Sequence, residues 1–272
     1  MTKPVTIKTK VGFSDLEKGE NWYFGYPVLA ELAGRTSLTG LSVLASHGKQ
    51  LSLSELRVID DIATVNTTPD PRIWPLKLVR LVASYGHTLP AFACISLGLE
   101  SVAIGPWEYG TAAEFLLVVD RALGDSEPSD SAIKQIAQAH MLKHGRLPGF
   151  GVPMRPVDER VPVLRKCLLD NSMRHEKRYW KLFERLSLVV RESFRIQAHI
   201  SGASAAAMLD IGLSPRTISL ASVLSYQHVF MAHADEGAQQ SLSSLCVIEL
   251  DKLEFNCPEH RVSDRKKKWL GA

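Results

Sequence analysis

Cysteine is scarce in this sequence, and the cysteines that occur lie far apart. The four positions are Cys94, Cys167, Cys246 and Cys257, and no two of them form a CxxC pair. This scatter argues against a disulfide framework and a zinc site, and it fits reduced thiols in a cytoplasmic protein. The GxGxxG, P-loop, HExxH and GxSxG patterns are absent too. We therefore expect no metal and no tightly bound cofactor.

A strong charge of either sign and a long hydrophobic run are also missing. The 272 residues carry a net charge of +3, with 45% hydrophobic and 22% charged residues. That balance is ordinary for a soluble globular protein and too mild for one that binds nucleic acid. No apolar run is long enough to span a bilayer, and the N-terminus has no signal-like core. We expect a cytoplasmic protein of one large or two smaller domains that binds neither nucleic acid nor membrane.

Strand-like alternation is limited to short β-prone pieces at residues 5–7 and 22–24. Elsewhere apolar residues recur at helical spacing, with glycines and prolines at the joints. Thr36 or Ser37 is placed to cap a helix, and Ser52 precedes Glu55 in the capping-box pattern. Residues 215–239 predict one more long apolar helix, continuous or broken. The chain is therefore mostly helical.

Residues 147–160 resemble neither a helix nor a strand. Prolines remove backbone donors there, glycines permit unusual backbone angles, and charged side chains follow at once. The residues concerned are Pro148, Gly149, Gly151, Pro153, Arg155, Asp158 and Arg160. A stiff loop that ends in paired arginines suits an anionic ligand. A connector with solvated charges is the alternative, and the residues alone leave both open.

Two other joints carry candidate side chains. Residues 66–75 form a proline-rich loop that contains Arg72. Residues 105–110 predict a tight turn in which Glu108 lies between two aromatic residues. Desolvation there would raise the pKa of the carboxyl group and suit it to acid–base work. An ordinary exposed turn glutamate is the alternative.

Taken in order, these joints resemble the citrate synthase and citryl-CoA lyase superfamily, and the length is closest to its short citryl-CoA lyase-like members. The matching segments are 24–26 with RGY, 104–110 with GPLHGG, 148–160 with PGFGH…RxxDPR, 199–212 with NVDG…LLLDLG, and 232–236 with AHxxE. The resemblance implies an all-α fold with a large domain (1–110 and 215–272), a small domain (111–214) that carries the PGFG loop, and an active-site cleft between them. It also implies a homodimer or higher homo-oligomer.

The positions at which the family performs chemistry are occupied by other residues here. The histidine of GPLHGG falls on Glu108, the histidine after PGFG on Val152, and the asparagine and aspartate of NVD on His199 and Ser201. A carboxylate-binding arginine of the last helix falls on Tyr226. Valine cannot transfer a proton, so a standard citrate synthase mechanism is not assigned.

The resemblance implies catalytic, substrate-binding and CoA-binding roles for the following residues. The catalytic candidates are Glu108, as general acid or base, and His199, Ser201 and Tyr226, with His228 as another proton-transfer candidate. The substrate-binding candidates are Arg72, Trp107, Arg155, Asp158 and Arg160. The CoA-binding candidates are Pro148, Gly149, Phe150 and Gly151. The implied partner is a small carboxylate or an acyl-CoA, with the CoA thioester as a substrate rather than a cofactor.

Two functions remain open at this point. The first is an enzyme with a repurposed active site, performing lyase or C–C bond chemistry on a carboxylic acid or its CoA thioester. The second is a catalytically inactive homologue that binds an acyl-CoA or a polycarboxylate as a sensor or as a partner subunit. Val152 favours the second, and the polar replacements Glu108, His199 and Ser201 favour the first.

Overall fold

The computed structural model describes residues 6–98, 105–124, 129–152, 156–170 and 177–240. In these residues the chain forms eleven α-helices and three short strands, which confirms the all-α prediction. The helices are α1 (Leu38–His47), α2 (Leu53–Val65), α3 (Trp74–Ser84), α4 (Thr88–Gly98), α5 (Trp107–Leu123), α6 (Asp130–His144), α7 (Arg160–Asp170), α8 (Arg178–Phe194), α9 (Ile200–Asp210), α10 (Pro215–Ser222) and α11 (Leu224–Ala238). Within these ranges, no helix combines the length and apolarity needed to cross a membrane.

A small antiparallel sheet precedes the helices. The strands are β1 (Gly12–Asp15), β2 (Glu20–Tyr23) and β3 (Tyr26–Pro27), paired in that order. A single π-helical turn, Val28–Leu32, follows, and the carboxylate of Glu20 holds it by accepting the amide of Leu29 at 2.8 Å. The β-prone residues 22–24 thus overlap a strand, whereas residues 6–7 of the other β-prone piece form none.

Local capping signals set the helix starts as the sequence predicts. The amide of Ser52 donates to Oε2 of Glu55 at 2.8 Å, and the amide of Glu55 donates to Oγ of Ser52 at 3.4 Å, which forms the capping box of α2. Of the two candidates for α1, Ser37 is the cap, because its Oγ accepts the amide of Gly40 at 3.1 Å. Each cap satisfies a backbone donor that the helix itself leaves unpaired.

The long helix predicted over residues 215–239 is broken into α10 and α11 at Val223. The break turns the chain so that α11 packs on α3 and α4 while α10 packs on α5. The two halves of one apolar stretch therefore pack into different parts of the core.

Among the described residues, the core consists of two hydrophobic clusters. The larger one draws on α1, α2 and α5 to α10, and the smaller one draws on α3, α4 and α11. Helix α9 lies at the centre of the larger cluster, and every residue from 200 to 209 is buried. Its glycine, alanine and serine side chains are small, so α5 and α8 can approach closely. The predicted division into domains at residues 111 and 214 stays a prediction.

The tight turn predicted at residues 105–110 is wrong from Trp107 onwards, because α5 begins there. Gly110 was the misleading signal. A Cβ at this position would lie 2.0 Å from Oγ of Ser219 and 2.8 Å from the carbonyl oxygen of Pro215. The glycine therefore permits close packing of α5 against α10 and does not end a turn.

Candidate functional site

A cavity of about 250 Å³ lies where the two hydrophobic clusters meet. Side chains from α3, α5, α7, α9 and α11 line it together with residues of the loops before α7 and α9. The described polar residues in its lining are Thr68, Glu108, Tyr109, Arg160, His199, Ser201 and Tyr226. The structure thus brings together all four catalytic candidates and Arg160.

The loop at residues 147–152 is bound to the start of α9 by its backbone. The Gly149 carbonyl accepts the amide of His199 at 3.0 Å, and the Gly151 amide donates to the carbonyl of Gln197 at 2.8 Å. Gly149 has a φ of 81°, and a Cβ there would lie 2.8 Å from Cα of Gly202. Both the backbone angle and the close approach require glycine at this position.

Glu108 forms an ion pair at one side of the cavity. Its Oε2 accepts from Nη1 of Arg146 at 2.8 Å, and its Oε1 accepts the amide of Gly149 at 3.3 Å. The predicted enclosure by two aromatic rings is not observed, because Trp107 is 45% exposed and does not line the cavity. Trp107, a substrate-binding candidate, therefore lies outside the lining, whereas Tyr109 is buried. Sequence reasoning missed Arg146, although it lies only two positions before Pro148 of the PGFG loop.

Asp158 and Arg160 form a buried ion pair at the start of α7. Nε and Nη2 of Arg160 donate to Oδ1 and Oδ2 of Asp158 at 2.8 and 2.9 Å. Oδ2 also accepts the amide of Ile200 at 2.9 Å, at the start of α9. Burial acts to raise the pKa of Asp158, but the guanidinium of Arg160 and the Ile200 amide outweigh it and lower that pKa. Asp158 was predicted to bind substrate, but its side chain is fully buried and instead holds Arg160, which faces the cavity.

His199 connects this ion pair to Ser201. Nδ1 of His199 lies 2.8 Å from Oγ of Ser201 and accepts the amide of Ser201 at 3.2 Å, so His199 caps α9. Because Nδ1 is an acceptor, the proton of the neutral ring lies on Nε2. Nε2 lies 3.3 Å from Nη2 of Arg160 and 3.8 Å from Oδ2 of Asp158. The imidazole is therefore fixed through Nδ1 at the start of α9, and its Nε2 faces the ion pair.

Two tyrosines close another side of the cavity. The hydroxyl groups of Tyr109 and Tyr226 lie 3.0 Å apart. Burial is the main cause that raises the pKa of both phenols. Tyr226 also stacks on Phe230, with ring centroids 5.9 Å apart. Both hydroxyl groups are thus neutral and available as hydrogen-bond donors or acceptors.

The remaining wall of the cavity is apolar. Its described members are Ile73, Pro75, Leu76, Val152, Val229 and Phe230. They come from α3, α11, the residue before α3 and the end of the PGFG segment. The position at which the resemblance expects a second histidine therefore presents the hydrocarbon of Val152 to the cavity.

Several predicted site residues lie elsewhere. Arg72 pairs with Asp70 at 2.7 Å, its side chain is 86% exposed, and it does not line the cavity. His228 is exposed, and its Nε2 lies 2.9 Å from Oγ1 of Thr67. Arg155 lies outside the described residues.

The four CoA-binding candidates lie next to the cavity and do not line it. Pro148 and Gly149 are buried, and Gly151 is exposed. Phe150 packs on Phe183, with ring centroids 6.0 Å apart. Their role in CoA binding stays a prediction.

The histidine and glutamate of the AHxxE match, His233 and Glu236, form contacts that stabilise the fold. Nε2 of His233 donates to the carbonyl of Pro69 at 2.8 Å, and its Nδ1 lies 3.0 Å from Nη1 of Arg80. Arg80 also pairs with Glu236. These contacts fasten the proline-rich loop of residues 66–75 to α11, so the match marks a structural element.

Solved structures match nearly the whole chain. Citryl-CoA lyase from Hydrogenobacter thermophilus superposes with a TM-score of 0.79 at 19% identity, covering 96% of this chain and 99% of that one. ATP citrate lyase from Methanothrix soehngenii, in complex with citrate and coenzyme A, gives a TM-score of 0.70 at 14% identity, covering 98% of this chain and 43% of that one. Citrate synthase from Thermoplasma acidophilum, in complex with carboxymethyl coenzyme A and oxaloacetate, gives 0.60 at 14% identity, covering 85% and 60%.

The chain therefore has the helical fold of the citrate synthase and citryl-CoA lyase superfamily, as its motifs predict. No protein-family model matches the sequence, and no curated protein matches it.

Proposed function

We propose that this protein binds a carboxylic acid or its CoA thioester in the cavity and makes or breaks a carbon–carbon bond next to the carbonyl group. The observation that carries this proposal is that Glu108, Arg160, His199, Ser201 and Tyr226 all line one cavity. The fold adds support, because solved proteins of this fold bind citrate and coenzyme A.

In the cleavage direction, Glu108 accepts the proton of the ligand hydroxyl group. The carbon–carbon bond breaks, and its electron pair moves onto the thioester carbonyl to form an enolate. The ion pair with Arg146 and the Gly149 amide fix the carboxylate of Glu108, so its geometry is set before the ligand binds. A positioned acid or base of this kind contributes about 10²–10⁴-fold to a rate.

The start of α9 supplies the groups that stabilise the enolate. The hydroxyl of Ser201 and the imidazole of His199 lie in the first turn, where the helix dipole favours negative charge. Glu108 then delivers the proton that it took from the hydroxyl group to the enolate carbon, and Arg160 holds the carbonyl or carboxylate oxygen of the partner acid. The reaction runs in reverse for bond formation.

A binding protein without turnover is the second candidate, and Val152 is the observation that favours it. This side chain lines the cavity and offers no proton donor or acceptor. In that case the same cavity holds the ligand, and Glu108 with Arg146 serves only to shape it.

The test combines ligand binding with turnover. Thermal shift measurements with CoA thioesters and with small di- and tricarboxylates establish binding, and release or consumption of CoA reports turnover. We expect Glu108→Gln to abolish turnover without loss of the folded state. Glu114→Gln is the matched control, because Glu114 lies on the same helix and is exposed.

Turnover that survives Glu108→Gln combined with His199→Ala contradicts the assigned site. Binding without turnover selects the second candidate. A protein that binds no member of either ligand class contradicts both.

A further inference from the structure

The apolar wall of the cavity combines buried and half-buried side chains. Leu76, Val229 and Phe230 are 2%, 8% and 4% exposed, and they belong to the smaller hydrophobic cluster. Val152 and Ile73 are half-buried and line the same cavity. None of these side chains can donate to a carboxylate oxygen, so an ionised group placed against them would lose its hydration without compensation.

In the described part of the chain, the charged side chains that line the cavity, Arg160 and Glu108, each form an ion pair with a protein group of opposite charge. Arg160 gives two hydrogen bonds to Asp158, so its positive charge is balanced. Glu108 is balanced in the same way by Arg146. A ligand with several carboxylates would bring negative charges that these two pairs do not neutralise.

The volume of the cavity restricts the ligand further. About 250 Å³ is slightly below the range of roughly 300–1,000 Å³ that holds drug-sized ligands. The cavity can therefore enclose an acyl group of modest length, while the nucleotide of a CoA thioester must lie outside it.

On the basis of the proposed function, we infer that the acyl group bound here is apolar and carries no carboxylate other than the reacting carboxyl group. Its carbonyl or carboxylate end meets His199 and Ser201, and its hydrocarbon lies against Leu76, Val152 and Phe230. A branched or aromatic acyl-CoA fits this description, and a citryl group does not.

Titration calorimetry on the full chain tests this selectivity. The apolar probes are isovaleryl-CoA, hexanoyl-CoA and phenylacetyl-CoA, and the acidic probes are succinyl-CoA and citryl-CoA. The free acids 3-methylbutanoate and citrate provide the same comparison without CoA. We expect at least one apolar probe to bind tenfold more tightly than the acidic probes. Equal or tighter binding of citryl-CoA or citrate overturns the inference but leaves the proposed function intact, whereas no binding at all overturns both.

A charge introduced at the apolar wall provides the second measurement. Val152→Arg adds a cation to the cavity, so we expect it to tighten binding of the acidic probes and weaken binding of the apolar ones. Val163→Arg is the control, because Val163 is 51% exposed on α7 and does not line the cavity. We expect this control to keep the original preference. A preference that is the same in both variants contradicts the inference.

Discussion

Asp158 and Arg160, only two positions apart, form a two-point ion pair whose carboxylate also binds the first amide of α9. The same side chain thus fixes the guanidinium that faces the cavity and the helix that carries Ser201. The pair therefore supports α9 and at the same time orients a guanidinium towards the cavity.

Replacing Asp158 by asparagine should destabilise the protein strongly. The substitution leaves Arg160 partly buried without its counter-charge, and breaking a buried pair in this way costs about 3–5 kcal/mol. Chemical denaturation measures the change in the free energy of unfolding. Asp70→Asn serves as the control, because the Asp70–Arg72 pair is exposed, and we expect no measurable change there. Equal effects of the two substitutions would contradict the buried role of Asp158.

The pH dependence of stability should separate two aspartates. The pKa of Asp158 in the folded protein lies below its ordinary value of 3.8, so its contribution is complete above that pH and is lost as the pH falls through the folded pKa. Burial raises the pKa of Asp210, so its contribution is complete below 3.8 and is lost as the pH rises through the folded pKa. The free energy of unfolding is followed from pH 2 to 7 and compared with that of the unmodified protein. It should rise less with increasing pH in Asp158→Asn and fall less with increasing pH in Asp210→Asn. Parallel profiles would contradict one of the two shifts.

Two glycines of the PGFG loop provide a matched pair. Gly149→Ala and Gly151→Ala both place a side chain at positive φ, which costs about 1–2 kcal/mol. Only Gly149→Ala also forces a Cβ against Gly202, which adds about 1–3 kcal/mol of overpacking. We expect Gly149→Ala to be the less stable variant in denaturant titrations. The reverse order would show that the loop and α9 do not approach as described.

The tyrosine pair is suited to a double-mutant cycle. Tyr226→Phe leaves the hydroxyl of Tyr109 buried without the partner seen here, at a cost of about 1–3 kcal/mol. Removing both hydroxyl groups should cost less than the sum of the two single changes, because no polar atom is then left unpaired. Unfolding free energies of the four proteins measure the coupling, and strict additivity would show that the hydroxyl groups do not interact.

Local rules were sufficient to predict most of the helices and their ends. The capping box at Ser52 and Glu55 and the cap at Ser37 depend only on neighbouring residues, and both are present. The first turn of α5 was mispredicted because Gly110 was interpreted locally. The close contact with Ser219 that explains this glycine joins residues more than a hundred positions apart.

At the candidate site, too, contacts between residues distant in sequence were not predicted. The resemblance placed Glu108, His199 and Ser201 at one site because motif order carries three-dimensional information. It could not identify Arg146 as the partner of Glu108, because that ion pair depends on how the end of α6 meets α5. It also assigned Asp158 to the ligand, whereas burial turns that side chain towards Arg160 and α9.

The backbone contacts between the PGFG loop and residues 197–199 have one further consequence. They join amides and carbonyls, so they do not depend on which side chains face the cavity. The side chain at position 152 can therefore be replaced while these contacts hold the backbone of the loop. A substitution at position 152 can thus change the shape and polarity of the cavity wall and leave the loop anchored to residues 197–199.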